Sequence, residues 1–535
     1  MISISLIILF SFAALLAAAN LVAEYSRDLM MMQQNSYRND RYQRWLRSSG
    51  DTTSYPRIAG MLVLLASLAT WSTPEWGAIL VGLFGAGSAL TLFRRKYKKP
   101  LVWTARVRRI FSVMVGVSLI AVAGIAVWAY CYTGSAELTV FYAGVALTGL
   151  YCASHIVTML AIWMLKPVEK AINRRYYNEA AEILRSNPAL TVVGITGSYG
   201  KTSTKHYLYR ILSEKFETLM TPGSFNTTLG VIRTVREQMK PYCEVFICEM
   251  GAKQLGDIKE ICDLVHPKVG IVTAVGPQHL ESFKTLENVQ RTKFELFDSL
   301  PADGLAVIND DFTMVANRGV EGVACVRYSV KAESGTVRAT DIQYSSAGTD
   351  FTAVGPDWQL RLHTRLVGEC NVSNLLAAIE VARWLGVDDE LIRRAVSRIE
   401  PVEHRLSMKR TPGGITILDD AFNSNPAGSA MALEVLKSMT AGKRIIVTPG
   451  MIELGDRQFE LNEEFGRNIA RSADVAIVVG EYNHDAILSG INAEGNKGLK
   501  VVEVPSFAVA QQMLAPMLAA GDTVLYENDL PDTFK

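Results

Sequence analysis

The stretch "TVVGITGSYGKTSTKHYLYRIL", residues 191–212, decides the fold of the second half of this chain. An apolar run ends at Ile195, a turn with two glycines follows, and the apolar residues beyond it fall on one face of a helix. Strand, glycine loop and helix form the context of a phosphate-binding loop, because backbone N–H groups and the helix N-terminus together favour an anion. The pattern is T-G-x-x-G-K-T, since Ile195 stands where the strict motif has glycine.

We interpret this stretch as a nucleotide-binding loop rather than an ordinary glycine turn, because lysine and threonine follow the second glycine in the right order. Lys201 would reach the β- and γ-phosphates of ATP, and the Thr202 hydroxyl would ligate Mg²⁺. The predicted nucleotide-binding residues of the loop are Thr196, Gly197, Ser198, Tyr199, Gly200, Lys201, Thr202 and Ser203.

Charge and hydropathy divide the chain into two parts. The net charge is only +1, yet residues 1–160 carry 14 Lys or Arg and 6 Asp or Glu, and the remainder carries 40 and 47. A basic, apolar part before a mildly acidic part predicts a membrane module joined to a soluble one. The acidic part has no basic stripe, so we expect no nucleic-acid partner. The 7 cysteines form no C-x-x-C pair, which disfavours a disulfide framework or a zinc site.

Five apolar segments occupy the first 165 residues, at 2–23, 56–71, 76–93, 110–130 and 138–165. About 20 helical residues cross a bilayer core, so the first, fourth and fifth are long enough to span it. The second and third are shorter and are joined by "STPE" between Trp71 and Trp76, which favours a spanning hairpin, with a re-entrant pair as the alternative. No Lys or Arg precedes the first segment, which disfavours a cleaved signal peptide.

The charges of the loops orient these segments. The loop at 24–57 carries Arg27, Arg38, Arg41, Arg44 and Arg47. The loop at 94–109 carries "RRKYKK" and three more arginines, whereas "STPE" and "TGSAE" carry no Lys or Arg. The positive-inside rule then predicts a multi-pass protein of the cell (inner) membrane with its N-terminus outside and the soluble part cytoplasmic. Basic loops at the surface also make anionic membrane lipid an expected partner.

Small residues in the run "FGAGSAL", 84–90, resemble a fragment of a dinucleotide-binding fingerprint. The run lies inside an apolar segment and follows no strand, so the fingerprint context is missing. We expect it to allow close packing between membrane helices instead.

Strands alternate with helices after a helical connector. "EVFICEMGA" predicts a strand that ends at Glu249, and "KVGIVTAVGPQHLESF" predicts another that ends near His279. Because ligands of open α/β sheets bind outside the carboxyl ends of the strands, Glu249 and His279 should face the same crevice as Lys201. A carboxylate at such a strand end is a natural Mg²⁺ ligand.

The fold class that we predict is α/β, with an N-terminal transmembrane helical bundle, a P-loop central domain and a Rossmann-like C-terminal domain. Short alternating runs between 333 and 367 predict antiparallel hairpins, and "NVSNLLAAIEVARWLGV" predicts a helix. From about Arg405 a second series of strands and loops begins. The expected domains are a transmembrane domain of about five helices at 1–165, a connector at 166–189, an ATP-binding domain at 190–402 and a C-terminal domain at 403–535.

Nine motifs occur in a fixed order: "TGSYGKT", "EMGAKQLGDI", "HLESF", "RTKFELF", "INDDF", "CNVSNLLAA", "HR", "DDAFNSNP" and "PGMIELGD". In that order they resemble the Mur ligase family over roughly residues 190–530. Many ordered motifs are more specific than a phosphate loop alone. The resemblance implies an ATP-dependent carboxylate–amine ligase of cell-wall synthesis, most similar to the type that joins D-alanyl-D-alanine to a cell-wall nucleotide peptide.

The resemblance also implies a role for each matched residue. The implied catalytic residues are Lys201, Glu249, His279 and Lys293, and the implied Mg²⁺ ligands are Thr202, Glu249, His279 and a carbamylated Lys293. Implied nucleotide contacts outside the loop are Asn371 and Asn374 on the adenine side, and Arg405 and Asp420 for the phosphates and ribose. Implied substrate contacts are Ser224 and Asn226 for the acyl substrate and Asn423 and Asn425 near the amine. Taken alone, Lys293 would more often be a surface lysine and His279 a capping or core histidine.

Carbamylation would turn an ammonium group into an oxygen ligand that suits Mg²⁺. The implied reaction transfers the γ-phosphate of ATP to a substrate carboxylate, and an amine then attacks the acyl phosphate and releases phosphate. Lys201 and the bound cations would neutralise charge on the transferred group. The C-terminal domain would close to exclude water.

Three departures from the family pattern leave the substrate open. A membrane bundle precedes the ligase motifs where family members carry a soluble uridine-binding domain. Cys370 replaces the histidine of H-N-x-x-N, and "ENDLPD" replaces a basic, glycine-containing C-terminal stretch. We therefore keep a cell-wall amide ligase, a ligase for another carboxylate such as a lipid-linked peptide or polyglutamate-like polymer, and a non-catalytic nucleotide-binding scaffold as alternatives. The intact Lys201, Glu249 and Lys293 disfavour the scaffold.

Overall fold

A computed structural model describes residues 2–95, 97, 99–331, 335–345, 348–421, 424–496 and 498–529. The chain forms two compact units, Met1–Asn173 and Arg174–Leu530. The described part of the first unit is helical, whereas the second contains two β-sheets.

The helices of the first part of the chain follow the apolar segments. They are α1 (Ile2–Gln34), α2 (Asn39–Ser48), α3 (Tyr55–Ala69), α4 (Pro74–Arg94), α5 (Ala105–Thr133), α6 (Ala136–Cys152) and α7 (Ser154–Arg185). Three described helices are long and apolar enough to cross a membrane, namely Ile4–Gln34, Pro74–Arg94 and Ala105–Thr133. The third apolar segment is therefore longer than predicted, whereas α3 has only 15 residues, about 22 Å at 1.5 Å per residue.

The fifth apolar segment is bent rather than one straight helix. A bend of 76° separates α6 from α7 at Ala153. The guanidinium of Arg57 explains this break, because Nη1 donates to the carbonyl oxygens of Tyr151 at 3.2 Å and Cys152 at 3.3 Å. A side chain that takes over helix carbonyls is one of the identifiable causes of a sharp kink. The described residues thus contain three helices that could cross a membrane, or four candidate spans if the bent pair counts as one.

Helix α2 lies in the basic loop at 24–57, where the sequence analysis placed no helix. It is amphipathic, with Tyr42, Trp45 and Leu46 buried and arginines on the opposite face. The Tyr42 and Trp45 rings stack with their centroids 5.5 Å apart. The apolar residues of this stretch recur at the helical period of 3.6, whereas its high charge alone favours a loop.

Glycines in α4 allow α1 to approach closely, as predicted for the run at 84–90. A Cβ atom on Gly85 would stand 2.8 Å from the carbonyl oxygen of Leu16, and one on Gly82 would stand 3.5 Å from the Cα atom of Ala13. Only a residue without a side chain fits at 85. The small residues therefore serve helix packing, and the fingerprint alternative is excluded by their helical context.

The first sheet of the second unit contains both parallel and antiparallel strand pairs. Its strands are β1 (Thr191–Thr196), β2 (Thr218–Met220), β3 (Val245–Glu249), β4 (Val269–Val272), β5 (Leu305–Asn309), β6 (Ala324–Ser329), β7 (Val337–Ser345), β8 (Gly348–Val354) and β9 (Gln359–Thr364). The order is β2-β3-β1-β4-β5-β6-β7-β8-β9, with parallel pairing from β2 to β7 and antiparallel pairing from β7 to β9. The predicted hairpins are confirmed as an extension of the parallel sheet.

Helices cover both faces of this sheet. They are α8 (Lys201–Leu212), α9 (Thr228–Gln238), α10 (Asp257–Val265), α11 (Leu280–Phe283), α12 (Leu286–Phe294), α13 (Thr313–Ala316), α14 (Glu369–Trp384) and α15 (Asp389–Ser397). Successive residues of a strand point to opposite faces. Accordingly Val193 packs in a core with α8 and α14, and Val192 packs in a second core with α9, α10 and α12. Both faces are apolar, as expected for a parallel sheet.

The second sheet and its helices form the C-terminal part. The strands are β10 (Ser407–Arg410), β11 (Thr416–Asp420), β12 (Arg444–Thr448), β13 (Val475–Val479), β14 (Lys500–Val504) and β15 (Thr523–Glu527). The helices are α16 (Pro426–Ser438), α17 (Gln458–Ser472), α18 (His484–Glu494) and α19 (Phe507–Leu514). The order is β10-β11-β15-β12-β13-β14, and only the β10–β11 pair is antiparallel. Cys370 packs against the core of this sheet, so this departure from the family is a packing residue.

Candidate active site

The loop between β1 and α8 has backbone geometry that requires glycine. Gly197 has φ +149° and Gly200 has φ +78°. A Cβ on Gly197 would stand 2.1 Å from Thr273 Oγ1, and one on Gly200 would stand 2.5 Å from Asn374 Oδ1. Both glycines are therefore fixed by close packing as well as by conformation.

The other residues of the loop are buried and tied to neighbouring strands. Thr196 Oγ1 donates to the carbonyl oxygen of Met250 at 2.8 Å, and Ser198 Oγ donates to that of Gly276 at 3.1 Å. Tyr199 and Ser203 are also buried. The loop is consequently rigid, which suits backbone N–H groups that must hold a phosphate in one place.

Lys201 folds back over this loop. Its Nζ donates to the carbonyl oxygens of Gly197 at 2.5 Å and Ser198 at 3.2 Å. Burial lowers the pKa of Lys201 to about 8, with Glu249 opposing the shift and Arg405 adding to it. A phosphate at the loop would offer stronger acceptors than two carbonyl oxygens and would raise this pKa.

Glu249 lies at the centre of the site, at the carboxyl end of β3 and in register with Ile195 of β1. Its Oε1 accepts hydrogen bonds from Thr202 Oγ1 at 3.2 Å and Asn226 Nδ2 at 3.0 Å. Burial favours a raised pKa, but the charges of Lys205 and Lys201 outweigh it and lower the pKa of Glu249. The structure thus confirms that Glu249 meets the phosphate loop.

Lys205 is a site residue that the sequence analysis missed. It lies one helical turn after Lys201, is completely buried, and places Nζ 2.9 Å from Glu249 Oε2. Its ammonium group also donates to the carbonyl oxygen of Gly223 at 2.5 Å. The available signal was a lysine at 205 on the apolar face of α8, since a charge on that face needs a partner.

Lys293 is buried in α12, which excludes the reading as a surface lysine. Its Nζ has no hydrogen-bond partner or ion pair among the described residues. Burial, followed by the charge of Lys201, lowers the pKa of Lys293 to about 7, against the opposing charges of Asp257, Glu295 and Glu249. An amine with this pKa is substantially neutral at neutral pH, which is the form that reacts with CO₂.

The prediction that a strand ends near His279 is wrong. Strand β4 ends at Val272, and His279 directly precedes α11 with φ +54°. Its Nδ1 hydrogen-bonds to Oε2 of Glu453, in the loop after β12. Lys253 Nζ lies 3.5 Å from Glu453 Oε1. Burial would raise the pKa of Glu453, but His279 and Lys253 lower it to about 2. This pair links the first sheet's domain to the second.

Asn371 and Asn374 lie on α14 beneath the phosphate loop. Asn371 Oδ1 accepts from Tyr207 Oη at 2.7 Å, and Asn371 Nδ2 donates to the carbonyl oxygen of Val367 at 2.8 Å. Asn374 Oδ1 accepts from Thr204 Oγ1 at 3.1 Å. Both side chains are buried and hold α14 to α8. Their adenine-side role stays a prediction.

Arg405 and Asp420 lie in the C-terminal part, and the charge of Arg405 acts on Lys201 and Glu249. Burial lowers the pKa of Arg405, while the charges of Asp420 and Glu249 oppose that shift. Burial raises the pKa of Asp420 to about 6, against the charge of Arg405 and the Leu406 N–H, which donates to Oδ1 at 3.0 Å. The structure therefore brings Arg405 within reach of the charges of Lys201 and Glu249.

The residues predicted to contact the substrates do not share one environment in the structure. Ser224 is exposed in the loop before α9, whereas Asn226 donates a hydrogen bond to Glu249, a predicted Mg²⁺ ligand. Asn425 caps α16, because its Oδ1 accepts from Gly428 N at 2.8 Å. Asn423 lies outside the described residues.

Glu527 is a second buried group that the sequence analysis passed over. It ends β15 beside Asp420 in the parallel register, and Ser424 Oγ donates to its Oε1. Its Oε2 has no hydrogen-bond partner among the described residues. Burial and the charge of Asp420 raise the pKa of Glu527 well above its ordinary value.

Thr202 and Glu249 fit Mg²⁺ as two cis ligands. Their oxygens are 3.2 Å apart, close to the roughly 2.9 Å expected for adjacent ligands at 2.0–2.1 Å from an octahedral ion. Among the described residues, no group of three or more His, Cys, Asp and Glu side chains is arranged to hold a metal ion. Water and phosphate oxygens would complete such a site, as is usual for Mg²⁺.

Comparison with known proteins gives this arrangement a family. The Mur ligase middle domain matches residues 195–382, and the Mur ligase glutamate ligase domain matches residues 404–526. A UDP-N-acetylmuramoyl-tripeptide–D-alanyl-D-alanine ligase from Escherichia coli is 30% identical over 352 residues, which are 65% of this chain and 77% of that relative. The chain belongs to the Mur ligase family. It is an ATP-dependent ligase of the kind used in peptidoglycan synthesis, and the resemblance inferred from the motifs is confirmed.

Other Mur ligases give the same picture. The ligase of the same name from Mycobacterium tuberculosis is 32% identical over 362 residues, which are 63% of this chain and 70% of that relative. Among solved structures, MurF from Acinetobacter baumannii matches with a TM-score of 0.61 and 26% identity, covering 67% of this chain and 77% of that one. MurF from Thermotoga maritima in complex with ADP matches with a TM-score of 0.59 and 27% identity, covering 66% and 80%.

Proposed function

We propose that this Mur ligase joins D-alanyl-D-alanine, or a similar amine, to a UDP-N-acetylmuramoyl-tripeptide or a related cell-wall carboxylate through an acyl phosphate. The geometry around Glu249 carries the proposal, because a carboxylate that meets Thr202 while Lys201 covers the loop is equipped for phosphoryl transfer. The names of the relatives supply the substrates.

The side chains divide the work of phosphoryl transfer. Lys201 would leave the carbonyl oxygens of the loop and donate to the β- and γ-phosphates. Thr202 and Glu249 would hold Mg²⁺, which supplies charge neutralisation for the transferred phosphoryl group. Lys205 keeps Glu249 ionised and oriented, and Arg405 adds positive charge from the C-terminal part.

Lys293 would contribute as a carbamate. Its buried amine has no acceptor among the described residues, and burial of an unpaired ammonium is unfavourable. Reaction with CO₂ replaces this cation by an anion that is attracted by Lys201 and can share a metal ion with Glu249. His279, whose ring now contacts Glu453, would support that second ion once the C-terminal part moves.

We also propose that the chain is anchored in the cell (inner) membrane, with its N-terminus outside and its ligase domains cytoplasmic. Three long apolar helices support anchoring. The orientation requires α3 and α4 to act as the predicted hairpin, so that the arginines before α3 and after α4 lie on the same, cytoplasmic side. Fusions that end after Gly134 and after Asn187 test it. A cytoplasmic reporter should be active only after Asn187, and a reporter active only outside should work after Gly134; the reverse pattern contradicts the topology.

A ligase for a lipid-linked carboxylate is the second candidate, favoured by the three long apolar helices. Purified full-length protein should release phosphate from ATP only when both acceptor and amine are present. A product of UDP-N-acetylmuramoyl-tripeptide and D-alanyl-D-alanine, identified by mass spectrometry, supports the first proposal. Turnover only with a lipid-linked peptide would establish the second, and no turnover with any carboxylate and amine would contradict both.

A further inference from the structure

The helical unit contains a cavity of about 400 Å³, with a largely apolar lining and a few charged groups, that the ligase reaction does not use. Three arginines, Arg27, Arg57 and Arg95, line it together with the carboxylates of Glu24 and Asp51. One wall is apolar and is formed by Leu83, Phe84, Leu92 and Tyr151. The cavity therefore combines charged donors with a surface for a hydrocarbon chain.

The arginines at its base are held by carboxylates. Arg57 Nη2 lies 2.8 Å from Glu24 Oε1 and 3.4 Å from Asp51 Oδ2. Arg27 Nη1 lies 2.8 Å from the same Glu24 oxygen. Asp28 stands behind them and accepts from Tyr42 at 2.9 Å and Ser154 at 2.6 Å. These pairs fix the planes of both guanidinium groups.

Donors remain after this pairing. The Nε atoms of Arg27 and Arg57 are buried and have no acceptor among the described residues, although Arg57 is only 2% exposed. Arg95 forms no ion pair with a described residue and contacts only the ring of Tyr97, at 5.5 Å. Arg95 is thus the one arginine of the lining that has no carboxylate partner among the described residues.

The position of the cavity fits the end of the bundle where the basic loops lie. Pro56 and Arg57 begin α3, and Leu92 is near the end of α4. Under the predicted topology this is the cytoplasmic end, where phosphate headgroups are found. We propose that the cavity binds the phosphate headgroup of a lipid, whose chain lies along the Leu83 and Phe84 wall. The proposal concerns binding alone and does not rest on the ligase substrates.

Gly87 offers a variant that fills the cavity without touching its charges. It lines the cavity, and an added Cβ would meet no heavy atom within 4 Å. Gly87→Phe should therefore fold normally while occupying the ligand space. Gly124 in α5 has equally open surroundings but does not line the cavity, so Gly124→Phe is the matched control. Arg95→Gln separately removes the unpaired charge.

Binding of fluorescent oleoyl lysophosphatidic acid to the full chain in detergent tests the proposal. Wild type and Gly124→Phe should bind it equally, whereas Gly87→Phe and Arg95→Gln should each bind at least about tenfold more weakly, since a charge-assisted hydrogen bond is lost or blocked. Unlabelled lysophosphatidic acid should displace the probe. Monooleoylglycerol, which lacks only the phosphate, and inorganic phosphate, which lacks only the chain, should not.

Melting temperatures of the variants show whether they are folded. Equal displacement by monooleoylglycerol would overturn the phosphate requirement, and equal displacement by inorganic phosphate would overturn the lipid requirement. Wild-type binding by folded Gly87→Phe would overturn the location.

Discussion

Buried charge is organised differently in the two units of this protein. In the helical unit, Arg27 and Arg57 are clamped by the carboxylates of Glu24, Asp28 and Asp51. In the ligase unit, the carboxylate of Glu249 pairs with Lys205, and the charges of Lys201 and Arg405 also act on it. The first cluster is nearly neutral and holds helices together. The second has an excess of positive charge, which suits a triphosphate that supplies the missing anions.

Arg57→Ala should produce the largest loss of stability. It removes one of the two guanidinium groups that pair with the buried Glu24 and Asp51, and it frees the carbonyl oxygens at the α6–α7 break. Removing one member of a buried ion pair costs about 3–5 kcal/mol. Thermal unfolding in detergent should show a strong decrease for Arg57→Ala and little change for Arg108→Ala, an exposed arginine of α5. Equal melting of the two variants would mean that the cluster does not stabilise the bundle.

Glu249→Gln should abolish most ligase activity, and it should also lower the melting temperature, because the buried Lys205 loses its counter-ion. The substitution removes the charged oxygen that meets Thr202 and leaves Lys205 without its counter-ion. Loss of a preorganised electrostatic contact at a reacting phosphate corresponds to roughly 10²–10³-fold in turnover. Phosphate release by this variant is compared with Glu237→Gln, an exposed glutamate paired with Arg233. The control should keep activity within threefold of wild type. The same activity in Glu249→Gln would contradict a role for Glu249 in the site.

Lys293→Ala should lower turnover roughly 10²-fold, as expected when a positioned electrostatic group is lost, and short carboxylates such as acetate should restore part of it. The pKa of Lys293 is lowered to about 7, so its neutral form grows as pH rises through that value. Activation of CO₂-depleted wild type by bicarbonate should therefore be weak below that pH and strong above it. Lys268→Ala, at an exposed ion pair, is the control. Full activity of Lys293→Ala without added carboxylate would exclude the carbamate.

Glu453→Gln should have the smallest effect, on the contact between the two ligase domains. It weakens the hydrogen bond with His279 and removes the ion pair with Lys253, worth about 1 kcal/mol in total. Because the pKa of Glu453 is lowered from 4.5 to about 2, the contribution is present above the higher value and is lost as pH falls between them. The difference in melting temperature between wild type and variant should accordingly shrink across that range. A difference in melting temperature that does not change with pH would mean that packing, rather than the charge of Glu453, causes it. Glu460→Gln, at a surface ion pair, is the reference variant.

Local patterns predicted the elements that hold the site, because strand, loop and helix signals lie within a few residues of each other. The strand that ends at Glu249, the phosphate loop and the helix at 369–384 all occur as expected. Errors arose where long-range contacts override local pattern. The apolar segment at 138–165 predicts one continuous helix, but a guanidinium group from α3 donates to the carbonyl oxygens at the bend between α6 and α7. The strand expected to end near His279 stops at Val272, because the loop that follows lies against the phosphate loop.

The sequence alone indicates the α/β ligase class, the long apolar helices and the central groups Lys201, Thr202 and Glu249, since these follow from short-range order and residue chemistry. Only the tertiary structure decided what neutralises them. Lys205 pairs with Glu249 across 44 positions of chain, and Arg57 pairs with Glu24 across 33. A buried charge requires a partner, but its energy depends on distance and dielectric rather than on separation along the chain. For that reason the charged groups could be identified from the sequence, whereas their partners could be identified only from the fold.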